Sequence, residues 1–335
     1  MPSNTRRVVV TQNFFDEGSI AYLRASNCDV VIAKMPEGFT EATLDLAAIK
    51  ELLDGAEGWI VGHARITREV LAALPDLKIV SRRGVGYERV DIEAARDLGR
   101  VVTIAAGGND ATVADQVIGM MIALGRRFRE AHAQMQAGSW KILLGTDLYR
   151  KTVGIIGLGR IGRSLVQRLQ GFETNILVSE INPDEGYAER TGVKFVDVDT
   201  ILREADYVSL HAPLTPQTRH IINTAAIDKM KPGAFVFNCA RGGLVNDADL
   251  LAALKEGRLG GAGLDVFESE SDPAMKPTTD ALLALHNVVA APHAGASTRE
   301  GLDRTNMIAS QCVVAVLDGR RPALECVVVD GRPTA

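Results

Sequence analysis

Three closely spaced glycines, Gly157, Gly159 and Gly162, stand near the middle of this 335-residue chain, in the stretch KTVGIIGLGRIG at 151–162. β-Forming residues precede the first glycine, and apolar residues at helical spacing follow the last. In a strand–turn–helix unit, the first glycine permits a tight turn, the second lets the backbone approach a pyrophosphate, and the third lets the helix pack on the strand. The N-terminus of such a helix favours an anion. The stretch therefore predicts a dinucleotide-binding turn.

An acidic residue, Glu180, follows in the run NILVSEIN at 175–182 and is predicted to end the second strand of this unit. A carboxylate at that position can accept hydrogen bonds from both ribose hydroxyls, whereas a 2′-phosphate would meet a like charge. No Arg or Lys stands at 181 or 182 to offset that charge. The predicted cofactor is therefore NAD rather than NADP; a solvated glutamate at the strand end is the alternative.

Short β-branched runs alternate with helical patterns along the whole chain, which indicates parallel sheets covered by helices. One complete α/β unit precedes the glycine stretch, and a last helix and strand follow the second unit. Chain order therefore suggests that the nucleotide-binding domain interrupts an outer domain. Helices are predicted at 17–26, 42–53, 67–74, 91–98, 110–136 and 298–318. Strands are predicted at 7–11, 29–33, 58–62, 78–81, 101–104, 174–179, 193–196, 206–210, 234–238, 260–264, 287–290 and 325–329.

Composition excludes several classes of function. The net charge is −5 and no basic tract is present, which argues against a nucleic-acid partner. The four cysteines are scattered without a CxxC pair, so reduced thiols and no metal site are expected. The longest apolar run, around 117–124, is too short to span a bilayer, and MPSNTRRVVV at 1–10 lacks the apolar region of a signal peptide. We therefore expect a soluble cytoplasmic protein without a membrane partner.

Charged residues follow three predicted strands beyond the glycine stretch. Arg241 follows one strand, Asp265 ends the next with Glu268 and Glu270 beyond it, and His293 follows the third. Ligands of open α/β sheets bind at such strand ends. An arginine can hold a carboxylate, a histidine can transfer a proton, and an acid can orient the histidine and stabilise its charged form. The set would suit a 2-oxo acid and its alcohol, although each residue alone could be an ordinary turn or surface residue.

The motifs GLGRIG, HAPLTPQT, MKPGAFVFNCARGGLVND, LDVFESE and PHAGAST together resemble those of the D-isomer-specific 2-hydroxyacid dehydrogenases. The resemblance runs from LPDLKIVSRRGVGYERVD at 74–91 to LDGRRP at 317–322, and CARGG, AGSW and PHAGAST are most similar to the 3-phosphoglycerate dehydrogenase branch. The regulatory domain that some members append is not expected here. The resemblance implies an α/β fold in which a Rossmann doubly wound parallel sheet (105–292) is inserted into a smaller flavodoxin-like α/β substrate domain (1–104 and 293–335).

The implied activity is NAD-dependent interconversion of a D-2-hydroxy acid and its 2-oxo acid by hydride transfer. The acid would be related to hydroxypyruvate, glyoxylate or phosphoglycerate. By resemblance, Arg241 binds the substrate carboxylate and carbonyl oxygen, His293 is the catalytic acid–base, and Glu270 pairs with it. Glu268 is the competing candidate, but the family spacing from the LDV strand selects Glu270.

The resemblance also implies residues that bind the cofactor and the substrate. The cofactor residues are Gly157, Gly159, Arg160, Ile161, Gly162, Glu180, His211, Ala212, Pro213, Thr218, Cys239, Ala240, Arg241, Asp265 and His293, of which Asp265 would contact the nicotinamide carboxamide. The residues of the substrate loop are Arg82, Gly84, Val85 and Gly86, whose backbone would hold the substrate carboxylate together with the Arg241 side chain.

The chain departs from the phosphoglycerate branch where that branch has an arginine that helps to hold the substrate phosphate. Gly62 and His63 stand there instead, which weakens the case for 3-phosphoglycerate, although Arg65 could substitute. Arg83 is an additional cation beside the substrate loop. It could bind a second acidic group or face solvent. The identity of the acid therefore stays open.

The resemblance also leaves three alternative functions open and implies an oligomeric state. An NAD-sensing binding protein, like the family's transcriptional co-repressors, would keep the same Arg, Glu and His, and formate and phosphite dehydrogenases share the scaffold. The helix at 110–136 and the arm through Trp140 match the family's dimer contact. A homodimer or a dimer of dimers is expected; the alternative is that this helix packs wholly within one chain.

Overall fold

The computed structural model describes residues 5–333, so the outermost ends of the predicted substrate domain, 1–4 and 334–335, lie outside the described residues. The chain forms two compact units. The outer unit comprises Met1–Asn109 and Ala296–Ala335, and the central unit comprises Asp110–Gly295. The domain limits expected from the sequence fall a few residues before these limits, so that His293 lies in the central unit rather than in the returning outer segment.

The helices and strands alternate as the sequence predicts. The strands are β1 (Arg6–Val10), β2 (Cys28–Ile32), β3 (Gly58–Val61), β4 (Ile79–Arg82), β5 (Val101–Ile104), β6 (Thr152–Ile156), β7 (Asn175–Ser179), β8 (Lys194–Phe195), β9 (Tyr207–Leu210), β10 (Phe235–Asn238), β11 (Gly261–Leu264), β12 (Val288–Ala290) and β13 (Val327–Asp330). The α-helices are α1 (Glu17–Ala25), α2 (Leu46–Leu52), α3 (Arg68–Ala72), α4 (Ile92–Asp97), α5 (Asp110–Gly125), α6 (Phe128–Gln136), α7 (Arg160–Leu169), α8 (Glu185–Thr191), α9 (Val198–Glu204), α10 (Thr224–Lys229), α11 (Asp247–Lys255), α12 (Lys276–Ala284) and α13 (Arg299–Leu317). Short 3₁₀ turns lie at Glu41–Thr43, Gln170–Phe172, Glu268–Glu270, Pro273–Met275 and Leu324–Cys326.

The single long helix predicted at 110–136 is wrong, because the structure divides it into α5 and α6. Arg127 adopts the left-handed conformation with φ 54°, which no α-helix interior tolerates. Its N–H bonds Leu124 O at 3.0 Å, one residue short of the helical partner, so the first helix closes there. The predicted helix at 42–53 likewise begins as the 3₁₀ turn Glu41–Thr43 before α2.

The outer unit is a six-stranded sheet in the order β13-β5-β4-β3-β1-β2, with β13 antiparallel to β5 and the other pairs parallel. Strands β1 to β5 thus follow the 2-1-3-4-5 order of flavodoxin-like sheets. Val9 packs with Trp59 on the face covered by α2, α3 and α4. Val8 packs with Val313 of α13 on the opposite face. The period-two alternation of β1 therefore supplies both halves of this core.

The central unit is a parallel seven-stranded sheet in the order β12-β11-β10-β9-β6-β7-β8. This is the doubly wound 3-2-1-4-5-6 order with one further strand, so the predicted Rossmann sheet is confirmed. Val153 and Ile155 pack under α5 and α7, and Ile156 packs with Ile201 on the other face. The strand order reverses between β6 and β9, which places the crevice for a ligand at their carboxyl ends. Within residues 5–333, no helix has the length and apolar character that a membrane crossing requires.

Candidate functional site

The turn after β6 has the shape that its glycines predict. Gly157 has φ +97°, and a Cβ atom there would lie 2.7 Å from the backbone nitrogen of Ala212. A Cβ atom on Gly162 would lie 2.5 Å from Gly157 O. Around Gly159, by contrast, an added Cβ atom would meet no heavy atom within 4 Å. Protein backbone therefore leaves no room for a side chain at Gly157 and Gly162, whereas the space around Gly159 is open.

The open side of this turn is the start of α7. Gly159 is the N-cap of that ten-residue helix, and no side chain caps it. The first N–H groups of the helix are thus available to an anion, with the favourable end of the helix dipole behind them. Arg160 and Ile161 are the first two helical residues, where the sequence predicts the pyrophosphate. The cradle fits the diphosphate of a dinucleotide.

Glu180 lies directly after β7, beside the glycine turn. Its Oε2 atom accepts a hydrogen bond from the N–H of Leu158 at 2.7 Å, and its Oε1 atom accepts one from the N–H of Ile181 at 2.8 Å. The carboxylate is therefore held at the turn by backbone donors, so it is not the freely solvated strand-end glutamate of the alternative interpretation. The ribose contact itself stays a prediction.

The segment after β9 carries His211, Ala212, Pro213 and Thr218. Burial of the ring lowers the pKa of His211 to about 4, so the imidazole is neutral at physiological pH. Its Nε2 atom lies 2.8 Å from Ser209 Oγ, and its Nδ1 atom has no hydrogen-bond partner within the described residues. The Thr218 hydroxyl donates to Pro213 O at 2.6 Å and closes the loop that follows. These residues shape the wall beside the glycine turn.

The segment after β10 presents Arg241 through a turn that depends on Asn238, a residue the sequence analysis did not single out. Asn238 is buried; its Nδ2 atom donates to Arg241 O at 2.9 Å, and its Oδ1 atom accepts from the N–H of Ala240 at 3.1 Å. Arg241 also donates from Nη1 to Ala240 O at 2.7 Å. An asparagine at the end of an apolar strand favours such a turn. The FVFN pattern at 235–238 could therefore have identified Asn238 from the sequence.

Cys239, in the same segment, points away from this turn. Its thiol packs in the core with its Sγ atom 3.8 Å from Met120 Sδ. Burial, with a smaller contribution from Asp265, raises the pKa of the Cys239 thiol far above its usual value. Its side chain is a packing group rather than a reactive thiolate.

His293 lies after β12 in a turn that Asp265 holds. The histidine has φ 51°, in the left-handed region, and its N–H donates to Asp265 O at 2.7 Å. The two carboxylate oxygens of Asp265 accept from the N–H groups of Ala294 and Gly295, each at 2.8 Å. Asp265 is buried, so these contacts are shielded from water. The structure therefore shows Asp265 as the support of the histidine turn, and its predicted nicotinamide contact stays a prediction.

His293 and Glu270 form a direct pair. The distance from His293 Nδ1 to Glu270 Oε2 is 2.7 Å, and the two side chains are 41% and 37% exposed. The other carboxylate oxygen, Oε1, accepts from the N–H of Phe267 at 2.9 Å. The acid thus holds the imidazole by one ring nitrogen and would stabilise the protonated ring. This geometry suits general acid–base chemistry at Nε2.

Glu268, the competing acid, is engaged elsewhere. It is 7% exposed, and its Oε1 atom lies 2.7 Å from Nε2 of a different histidine, His220. Because Glu268 and Glu270 lie at the two ends of one 3₁₀ turn, their side chains leave it in different directions. The structure therefore brings Glu270, and not Glu268, to His293.

The predicted substrate loop follows β4 in the outer unit. Arg82 is buried, and its Nε atom donates to Gly86 O at 3.0 Å, which closes the loop over Gly84 and Val85. Arg83 donates from Nη1 to Asn13 O at 2.6 Å. Burial lowers the pKa of the Arg83 guanidinium, and the charge of Glu41 opposes that shift. Arg83 is thus held against the protein rather than extended into solvent.

Glu41 is a second residue that the sequence analysis missed. It is 7% exposed and lies at the carboxyl end of β3, where its oxygens accept from the N–H of Gly62 at 3.0 and 3.1 Å and from the N–H of His63. The side chains of Thr11 and Gln12 also donate to it. An internal carboxylate therefore occupies the backbone donors at this strand end. Arg65, the candidate substitute, is exposed.

Comparisons with known proteins agree with the central unit as described. Residues 118–295 match the family described as D-isomer specific 2-hydroxyacid dehydrogenase, NAD binding domain. The D-3-phosphoglycerate dehydrogenase of Methanocaldococcus jannaschii is 41% identical over 258 residues, which are 76% of this chain and 48% of that protein. The chain therefore spans about half the length of that relative.

Two shorter relatives are matched over most of their length. The glyoxylate reductase of Korarchaeum cryptofilum is 38% identical over 263 residues, covering 77% of this chain and 78% of that protein. Among solved structures, the TT0316 protein of Thermus thermophilus superimposes with a TM-score of 0.85 at 34% identity, over 96% of this chain and all of that one. The doubly wound sheet, the open glycine turn with Glu180 beside it, and the extent of these matches lead to one assignment, that the chain belongs to the D-isomer specific 2-hydroxyacid dehydrogenase family with an NAD-binding central unit.

Proposed function

We propose that this chain is an NAD-dependent enzyme that interconverts a D-2-hydroxy acid and its 2-oxo acid. The observation that carries the proposal is the 2.7 Å contact between His293 Nδ1 and Glu270 Oε2, at the sheet edge that also carries the glycine turn. A histidine held by a carboxylate suits proton transfer to and from a substrate oxygen. Relatives named D-3-phosphoglycerate dehydrogenase and glyoxylate reductase act on acids of this class, which supports the reaction.

Each of the three central side chains has a separate task in this proposal. NAD(H), when bound, accepts or supplies the hydride. Arg241 pairs with the substrate carboxylate and polarises the carbonyl oxygen. In reduction, protonated His293 gives its Nε2 proton to that oxygen; in oxidation, the neutral ring takes the hydroxyl proton. Glu270 orients the ring and offsets its positive charge.

The test is NADH oxidation by a panel of glyoxylate, hydroxypyruvate and phosphohydroxypyruvate, with NADPH as the comparison cofactor. We expect turnover with at least one of these acids and a preference for NADH. Tight NADH binding without turnover of any 2-oxo acid would contradict the enzyme and favour a sensor of the nucleotide.

We propose further that the acid is small and unphosphorylated. The buried Glu41 carboxylate accepts from Gly62 N and His63 N, the backbone donors that follow β3. A phosphate dianion at this strand end would meet the like charge of Glu41, which already interacts with the nearby Arg83 guanidinium. The same panel tests this ranking: kcat/KM for glyoxylate or hydroxypyruvate is expected to exceed the value for phosphohydroxypyruvate, and the reverse order would contradict it.

We propose, finally, that two copies of the chain associate through α6 and the arm that follows it. Helix α6 has no buried residue, and Trp140, Ile142 and Leu144 in the arm are 81%, 91% and 89% exposed. Large apolar side chains grouped in this way mark an interaction surface. Helix α5, in contrast, packs within its own unit against α7. Light scattering should give a mass of two chains for the wild type.

A double variant, Ile142→Ser with Leu144→Ser, should shift that mass toward the 35.9 kDa of a single chain. Leu324→Ser is the matched control, because Leu324 is 80% exposed but lies elsewhere in the chain. A wild-type mass of one chain would remove the dimer.

A further inference from the structure

Two acidic side chains lie buried together behind the His293–Glu270 pair. Asp247, the first residue of α11, is 2% exposed, and Glu268, the first residue of the 3₁₀ turn Glu268–Glu270, is 7% exposed. Neighbouring buried carboxylates are unfavourable unless donors surround them. The donors present here are specific and link three segments of the chain.

The two residues hold each other by reciprocal hydrogen bonds. The backbone N–H of Asp247 donates to Glu268 Oε2 at 3.0 Å, and the backbone N–H of Glu268 donates to Asp247 Oδ2 at 2.9 Å. Each side chain thus accepts from the backbone of the other residue. Such a closed ring fixes the separation of the two segments more strictly than either bond alone.

A histidine side chain contacts the other carboxylate oxygen of Glu268. His220 Nε2 lies 2.7 Å from Glu268 Oε1, and the Arg219 guanidinium lies 3.7 Å from the same oxygen. His220 is itself fixed, since its N–H donates to Gly243 O at 2.8 Å. The charged and titratable groups that face Asp247 are therefore Glu268, His220 and, more distantly, Glu270.

This cluster joins the two segments that carry the proposed catalytic groups. Upstream of Asp247 is the segment of Arg241, and a Cβ atom on Gly242 would lie 2.2 Å from Phe267 O, so that segment packs directly on the 3₁₀ turn. At the other end of the turn is Glu270, whose Oε1 atom is held by Phe267 N. A displacement of Glu268 would therefore move both Arg241 and Glu270.

We propose that Asp247, Glu268 and His220 form a clasp that positions Arg241 and Glu270 for the reaction. The clasp residues are positioning residues, since they act through Arg241 and Glu270. The inference rests on the proposed function, because positioning matters only if Arg241, Glu270 and His293 perform it. A misplacement of about 1 Å in such a group reduces turnover by about a hundredfold.

The charge of the clasp supports a dependence on His220. Burial, together with the nearby Glu268 charge, raises the pKa of Asp247 to about 6, although its backbone bond to Glu268 opposes the shift. Above this pKa, Asp247 adds a negative charge to the ring, where the His220 imidazole and the Arg219 guanidinium lie nearest to Glu268 Oε1. Loss of the His220 side chain should therefore weaken the clasp by removing its contact with Glu268 Oε1.

The experiment compares Glu268→Ala, Glu268→Gln and His220→Asn in the full chain with NADH and its best 2-oxo acid. Glu268→Ala removes both acceptors and should lower kcat by about tenfold to a hundredfold, with NADH affinity unchanged. Glu268→Gln retains an acceptor for Asp247 N and should recover most of the loss. His220→Asn suits the left-handed backbone at φ 52°, removes the imidazole that contacts Glu268 Oε1 and should lower kcat in the same direction as Glu268→Ala.

Asp249→Ala is the matched control. Asp249 lies in the first turn of the same helix, and its Oδ2 atom accepts from Thr224 N at 2.8 Å. This substitution should leave kcat and its pH profile unchanged. If Glu268→Ala matched Asp249→Ala in kcat, KM and pH profile, the clasp would have no role in positioning.

A second measurement does not depend on turnover. The ring of His293 can be followed by its NMR chemical shifts, with the signals assigned through His293→Gln. In Glu268→Ala the ring signals of His293 should change in chemical shift, because Glu270 no longer holds the ring as in the wild type; unchanged ring signals would overturn the proposal. If the wild type reduces no 2-oxo acid, the proposed function fails, while these spectra still decide whether the clasp positions Glu270. If Glu268→Ala does not fold, His220→Asn decides by both readouts.

Discussion

His293 Nδ1 lies 2.7 Å from Glu270 Oε2, and both side chains retain access to solvent at the ligand edge of the central sheet. The pair depends on two local supports. Asp265 holds the left-handed backbone of His293 through its carbonyl oxygen, and the N–H of Phe267 holds Glu270. The orientation of the imidazole is thus set before any substrate binds, which is the condition for efficient proton transfer.

Replacement of His293 tests the proton transfer directly. His293→Ala should lower kcat by roughly a hundredfold or more, the usual contribution of a general acid–base, while NADH binding stays near that of the wild type. The matched control is His286→Ala, because His286 is 69% exposed and lies before β12, at the opposite end of that strand. Near wild-type turnover of His293→Ala would remove this residue from the mechanism.

Replacement of Glu270 by glutamine tests the charge of the pair. The amide can still accept from Phe267 N, but it no longer stabilises the protonated imidazole. Reduction needs the protonated ring, so the alkaline limb of the kcat profile for reduction should move to lower pH in Glu270→Gln. The measurement is the pH profile in both directions. An unshifted reductive profile would show that the carboxylate charge is not used.

The glycine turn offers a matched pair of substitutions. Gly157→Ala places a Cβ at φ +97° and 2.7 Å from Ala212 N, so the free energy of unfolding should fall by roughly 2 kcal/mol or more. Gly159→Ala meets no atom within 4 Å and should fold with an unchanged melting temperature. The methyl group would nevertheless occupy the open side of the turn and weaken NADH binding by about tenfold. Equal NADH affinity in Gly159→Ala and the wild type would contradict the predicted pyrophosphate position.

Glu180 should control the choice of nucleotide. Glu180→Gln keeps an acceptor for Leu158 N but removes the negative charge, so NADH should bind about tenfold more weakly and NADPH relatively better. Fluorescence titration with each nucleotide measures the ratio. Glu189→Gln, an exposed acid on α8, is the control and should leave the ratio unchanged. A constant ratio in Glu180→Gln would assign the preference to another residue.

Asp247 should make stability depend on pH. Its native pKa is about 6, against an ordinary value of 3.8, so the native state binds more protons than the unfolded chain between these values. Stability therefore falls as pH rises through this window, by at most about 3 kcal/mol. Asp247→Asn resembles the protonated form and should flatten the change. Urea unfolding at a series of pH values measures the free energy of unfolding of both proteins. The same pH dependence in the wild type and in Asp247→Asn would contradict the raised pKa.

Local pattern was sufficient for most of the fold. The strands of both sheets lie within one or two residues of their predicted positions, because β-branched runs and helical periodicity report burial directly. The break at Arg127 was not predicted, since the apolar spacing continues across it and a left-handed residue leaves no sign in that pattern. The end of a helix inside a continuous pattern is decided by packing.

By itself, the sequence determined the glycine turn, Glu180 beside it, the insertion of one α/β unit into another and the order of the motifs that mark the family. These follow from steric and charge requirements that act over a few residues. Only the tertiary structure gave the physical reason for the choice of Glu270 over Glu268, which the family spacing had already indicated, because it shows which histidine each acid meets after the chain has folded. It also showed Asn238, Glu41 and Asp247 as buried supports, since the partners of a buried polar group come from segments that are distant in sequence.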